Sequence, residues 1–179
     1  MLDKKKIEEA RKNIQKYLNE GMIRKEVFNK IVYDVLIKNS RESLDTANFL
    51  LNNKKSTLWV IVSSYYSMFY IANAVIYKMG YKILDKIPHK ITSDALVVFV
   101  KDKLRSSLLD DYEESKEEAL LLAKTKAEGL IEKFDMEREK RGNIQYETIE
   151  SDKLSKAETS LRRAKEFIHE MEKLLIGLN

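Results

Sequence analysis

Two arginines and the polar residues after them are the first candidates for chemistry in this sequence: Arg138 and Arg141, then Asn143, Gln145 and Tyr146. Guanidinium groups are planar forks whose N–H donors match phosphate oxygens. Two of them beside exposed amide and phenol groups can grip a nucleotide or an RNA backbone. The same residues stand at the expected exit of a long helix, where basic side chains offset the negative end of the helix dipole. Pattern alone does not separate these readings. His89, directly after the single proline and before Lys90, is the next candidate. An imidazole moves protons near neutral pH, whereas a histidine at a helix start can equally be structural or capping. His169, among Glu166, Glu170 and Glu172, reads as an exposed surface residue.

The dense acidic run Asp110, Asp111, Glu113, Glu114, Glu117 and Glu118 invites a metal-site reading. Hard-cation sites gather oxygens from a shaped loop, and acids early in a helix simply offset its positive end. A solvated helix start is therefore the expectation, with no metal and no cofactor. The absence of cysteine excludes disulfides, Cys-ligated zinc, iron–sulfur clusters and thiol nucleophiles. No zinc-protease, phosphate-loop or dinucleotide fingerprint occurs. The net charge of +4, with Lys+Arg 33 and Asp+Glu 29 interspersed, permits nucleic-acid binding without arguing for it.

These residues must be positioned by helices. Five glycines and one proline in 179 residues leave too little turn material for a β-rich or doubly wound fold. The predicted fold is all-α: an antiparallel up-and-down bundle of five to six helices in a single domain, residues 1–179. The first helix is expected from about Asp3 to Asn19, stopped by Gly21. A second helical region carries Val27, Phe28, Ile31, Val35 and Leu36, then Leu44, Ala47 and Leu50; a break near Asn39-Ser40 stays open. Tyr81 to His89 reads as the longest loop, Ile91 to about Leu104 as a short helix, and Asp111 to Lys140 as a long one. The last helix is expected over Ser151 to about Leu175.

Leu58 to Tyr77 is twenty residues without a charge, long enough to cross a bilayer. Its four tyrosines, three serines and one asparagine suit the centre of a bundle better than hydrocarbon. No membrane association is expected. Tyr65, Tyr66, Phe69 and Tyr70 cover most of that helix's circumference, so core packing is favoured over a base-stacking platform. Ser63, Ser64 and Ser67 are candidates for a pocket or a partner helix. The amino-terminal MLDKKKIEEARK lacks the apolar core of a secretory signal, and the expected location is cytoplasmic.

Several ordered pieces together resemble the HEPN superfamily, small helical domains of prokaryotic toxin–antitoxin and defence systems. VSSYYSMFYIANAVIYKMGY resembles the family's central helix and SRESLDTANFLL the helix before it. PHK with the helix carrying Phe99 is similar to the third, EREKRGNIQYE resembles the segment closing the long helix, and LRRAKEFIHEMEKLL resembles the last. The resemblance spans about Ser40 to Leu175 and leaves residues 1–39 as an amino-terminal helical extension.

It implies a homodimer, often paired with a separate nucleotidyltransferase, in which an Arg and a His spaced R-x4–6-H cleave RNA without metal at the two-fold interface. This sequence departs from that motif: Tyr146 stands at the shortest spacing from Arg141, and no histidine falls in either arginine's window. What carries over is a nucleotide- or RNA-binding component of a toxin–antitoxin-like pair that lacks the histidine-dependent centre. Arg138, Arg141, Asn143, Gln145, Tyr146, His89 and Lys90 are its candidate contacts, and Tyr146 is also a candidate for nucleotide modification. The alternatives are a diverged metal-independent endoribonuclease using Arg141 with Tyr146 or His89, and a purely structural helical scaffold.

Overall fold

The computed structural model describes residues 4–84, 87–137 and 150–178, with side chains given outside 125–152. Helix α1 (Lys4–Asn19) leads to a short strand β1 (Ile23–Lys25), then α2 (Lys30–Asn52) and α3 (Thr57–Lys78). Strand β2 (Tyr81–Ile83), α4 (Pro88–Ala95), α5 (Ser106–Glu137) and α6 (Glu150–Gly177) follow. The all-α bundle expected from composition is what forms, with helix α3 at its centre against α2, α5 and α6.

Local chemistry sets the boundaries. Asn29 caps α2 by accepting a 2.9 Å bond from the Ile31 amide, and Ser56 caps α3 through the Trp59 amide. No break occurs at Asn39-Ser40. Ser40 is buried, and its hydroxyl donates 2.8 Å to the Ser67 carbonyl of α3. Only Ser40 and Ala47 of α2 are fully buried, so small side chains bring the two helices together. Ile31 and Val35, read in the sequence among the apolar residues of this region, stay exposed, as does Phe49.

The expected loop after α3 starts instead with a strand. β1 and β2 pair antiparallel with Ile23 opposite Ile83, and Gly21 (φ 68) and Gly80 (φ 90) supply the left-handed backbone before each strand. Glu26 fastens this clamp, accepting from Lys82 and Arg24, whose hydrogen bonds hold its carboxyl below the usual range.

The expected helix at Ile91–Leu104 starts a turn earlier, with Pro88 in its first turn. It then loosens into a π-turn over Leu96–Val100 and a 3-10 turn over Lys101–Lys103. Phe99, expected to point inward, is half-buried and stacks on Tyr81 at 4.4 Å.

Helix α3 is long and apolar enough to cross a membrane, and 67% of its apolar window is buried within this fold. Thirteen of its residues are buried, Tyr65 and Tyr77 among them. Tyr66 and Tyr70 are not: they remain half-exposed on the side facing α2.

Candidate functional site

The carboxyl-terminal cluster expected from sequence, Arg138, Arg141, Asn143, Gln145 and Tyr146, lies outside the described residues. His89 and Lys90 do not, and both sit in the first turn of α4. His89 forms no side-chain cap. Its ring turns onto α3 instead, 4.7 Å from the Phe69 centroid and 5.6 Å from that of Tyr65. His89 Nδ1 lies 2.7 Å from the Tyr65 hydroxyl. Burial, and then the charge of Lys116, push the histidine below its ordinary acidity range, so it is held neutral.

Behind this pair stands Tyr112 of α5, fully buried, its ring 5.8 Å from Tyr65 and 5.3 Å from Phe167. Burial raises the pKa of both tyrosines. Their hydroxyls lie close enough to influence one another's ionisation, yet no well-aligned hydrogen bond reaches Tyr112 Oη. Tyr112 therefore stands at the back of the histidine seat with Tyr65 as its poorly aligned polar neighbour.

The depressed His89 pKa gives a testable sign. The unfolded chain binds this proton more readily, so stability is full above about pH 6.5 and is lost progressively as pH falls from there through the lower folded value. Urea midpoints are expected to fall between about pH 7.5 and pH 5, and to fall less in His89→Asn. Equal slopes for the two proteins would remove His89 from this account.

Beside the histidine seat, α1, α4 and α5 enclose a cleft of about 410 Å³. Asp94 lies within it, accepting from Asn13 Nδ2 at 3.1 Å and from Tyr17 Oη at 3.2 Å, with Lys90 Nζ 3.8 Å away. Burial raises the Asp94 pKa above the usual carboxylate range despite Lys90. Burial, with Asp94 beside it, pushes the Tyr17 phenol up to about 12. Across the cleft, Lys116 donates to the Ser93 hydroxyl at 2.8 Å and pairs with Glu113. Two ion pairs, Lys90–Asp94 and Lys116–Glu113, thus close within the cleft, and the bonds from Asn13 and Tyr17 to Asp94 tie α1 to the bundle.

The acidic run is no helix start. Helix α5 begins at Ser106 with no acid in its first turn. Asp111 and Glu114 pair instead with Arg163 of α6, whose Nε sits 2.8 Å from Asp111 Oδ1 without the alignment of a hydrogen bond. Glu118 accepts from Ser160. The run is therefore in part an α5–α6 seam, and no group of three potential metal ligands gathers among the described residues. His169 is exposed, as its acidic neighbours suggested.

A second concavity was foreseen in the sequence only through Ser63, read with Ser64 and Ser67 as facing a pocket or a partner helix; Ser63 lines it, whereas Ser64 and Ser67 are buried. A groove of about 390 Å³ runs between α2 and α3. From α3 it takes Trp59, Ser63, Tyr66 and Tyr70, spaced so that they share one helix face. From α2 it takes Asn39, Glu42, Ser43 and Thr46. The signal for it was present as Trp59, Ser63, Tyr66 and Tyr70 at helical spacing. Reading the aromatic run as a block hid the division between core and groove.

The HEPN domain family model matches residues 33–174. No curated protein and no solved structure gives a significant match. The match covers most of the chain, including α3 to α5 and nearly all of α2 and α6. On that span this chain belongs to the HEPN domain family.

Proposed function

We propose that the protein is a cytoplasmic, homodimeric HEPN component of a toxin–antitoxin-like pair with a nucleotidyltransferase. In this reading it binds a nucleotide or RNA through Arg138 and Arg141 and lacks a histidine-dependent nuclease centre. The observation that carries the reading is the state of the histidines. The arginine segment contains none; His89 is fixed to Tyr65 inside an aromatic cluster, and His169 stands exposed on α6. Tyrosine is a poor replacement, since a phenol titrating near 10 moves few protons at pH 7.

A diverged endoribonuclease is the second reading, and one feature of His89 favours it. In the tautomer whose Nδ1–H donates to the Tyr65 hydroxyl, a neutral imidazole keeps the lone pair on Nε2 and has the form of a general base. Incubating total RNA with the purified protein in EDTA, beside Arg141→Ala, separates the two. The expected result is no cleavage by either protein, with RNA-oligonucleotide binding weakened by the Arg138→Ala, Arg141→Ala double substitution. Cleavage by the unaltered protein and not by Arg141→Ala would establish the nuclease instead.

A further inference from the structure

The α2–α3 groove has a composition unlike the rest of this surface. The chain carries 33 Lys and Arg residues, yet none of the described ones lines the groove. Glu42 is the one charged residue among the described residues that line it. Trp59 is 53% exposed although it belongs to the most buried helix of the bundle, and the half-exposed rings of Tyr66 and Tyr70 lie 6.0 Å apart. Asn39, Ser43 and Ser63 make no side-chain hydrogen bond to another described residue, so their amide and hydroxyl groups are open to a ligand. Thr46 is different, because its hydroxyl already donates to the Glu42 carbonyl at 2.7 Å.

We propose that this groove binds a guanidinium group, carried by a small molecule or by the arginine side chain of a partner chain. Ring faces carry partial negative charge, and a cation over them is stabilised further by a nearby carboxylate. Guanidinium suits the site better than ammonium. It is planar, stacks on aromatic faces, sheds water more readily and presents five N–H donors to acceptors such as Asn39 Oδ1 and the Glu42 carboxylate. Among the described residues Glu42 pairs with Lys38, 3.6 Å away, both side chains well exposed; such a surface pair is weak and easily displaced. A nucleotide base would also find rings to stack on, but its phosphate would meet Glu42 and no cation among the lining residues.

Trp59 is the only tryptophan in the chain, so its fluorescence reports on this groove alone. The full-length protein is titrated with agmatine, with acetyl-Gly-Arg-Gly-amide and with AMP. Saturable changes with one or both guanidinium probes and none with AMP are expected. Glu42→Gln and Tyr66→Leu should each weaken the response about threefold to tenfold. Agmatine acting alone identifies a small-molecule ligand, and the peptide acting alone identifies a partner's arginine.

Glu42 is exposed, so Glu42→Gln is expected to fold, and an unchanged melting curve certifies that. Saturation by AMP alone, no saturation by either guanidinium probe, or equal affinity in Glu42→Gln would each overturn the proposal. The guanidinium outcomes leave nucleotide or RNA binding through the Arg138–Arg141 segment untouched.

Discussion

Replacing Phe167 with alanine is expected to cost about 3–5 kcal/mol of folding free energy, the largest effect of any single truncation considered. Phe167 is fully buried and packs its ring 5.3 Å from that of Tyr112. Helix α6 meets α3 along this line, with Ala157, Ala164 and Met171 buried on the same side of it. Ala157 and Ala164 before it are small, which leaves the phenyl ring as the bulk that fills the space, and backbone-fixed neighbours close such a cavity only in part. Domains of this size are stable by about 5–15 kcal/mol, so the loss is a large fraction of the total. Urea denaturation followed by circular dichroism reads it directly. A midpoint within experimental scatter of the unaltered protein would mean that α6 is not held by this ring.

The second large effect is expected from Asp94→Ala. Its carboxylate accepts from both Asn13 and Tyr17, which places the α1 anchor on a residue of α4. Removing it leaves a phenol and an amide without acceptors in a partly buried cleft, a loss of about 2–4 kcal/mol concentrated on one helix. The core beneath α1 is thin, with Ala10, Ile14 and Tyr17 its buried residues. Release of α1 is therefore expected before the bundle itself melts. Tryptic cleavage after Lys12 and Lys16 should accelerate at least about tenfold while the helical melting transition of the remainder persists. Unchanged cleavage would show that apolar contacts alone hold the helix. This anchor also gives the region ahead of the HEPN match a definite role, that of a brace on the α4–α5 cleft.

Much of this architecture was legible in the residues. Scarce glycine and proline with apolar residues at helical spacing fixed a helical bundle, because each such stripe must be buried against another helix. The uncharged stretch around Tyr65 could only sit at the centre or in a membrane, and its placement against three other helices follows from having little polar surface to show water. Gly21 and Gly80 marked turns because their positive φ disfavours other residues. The strands after them were not legible: three residues each form no alternating pattern, and only the approach of two distant turns makes them a pair.

The candidate sites divide in the same way. Residue type alone made His89 a candidate and exposed the missing histidine near Arg141, since those are facts of identity and spacing. Tertiary contact decided the rest. It placed Tyr65 on His89 Nδ1 and turned part of the acidic run into a seam with Arg163. It split one aromatic run into buried Tyr65 and groove-lining Tyr66 and Tyr70. The periodicity of a helix determines which residues share a face. Which faces meet another helix, and which stay open to a ligand, depends on packing between segments far apart in the chain.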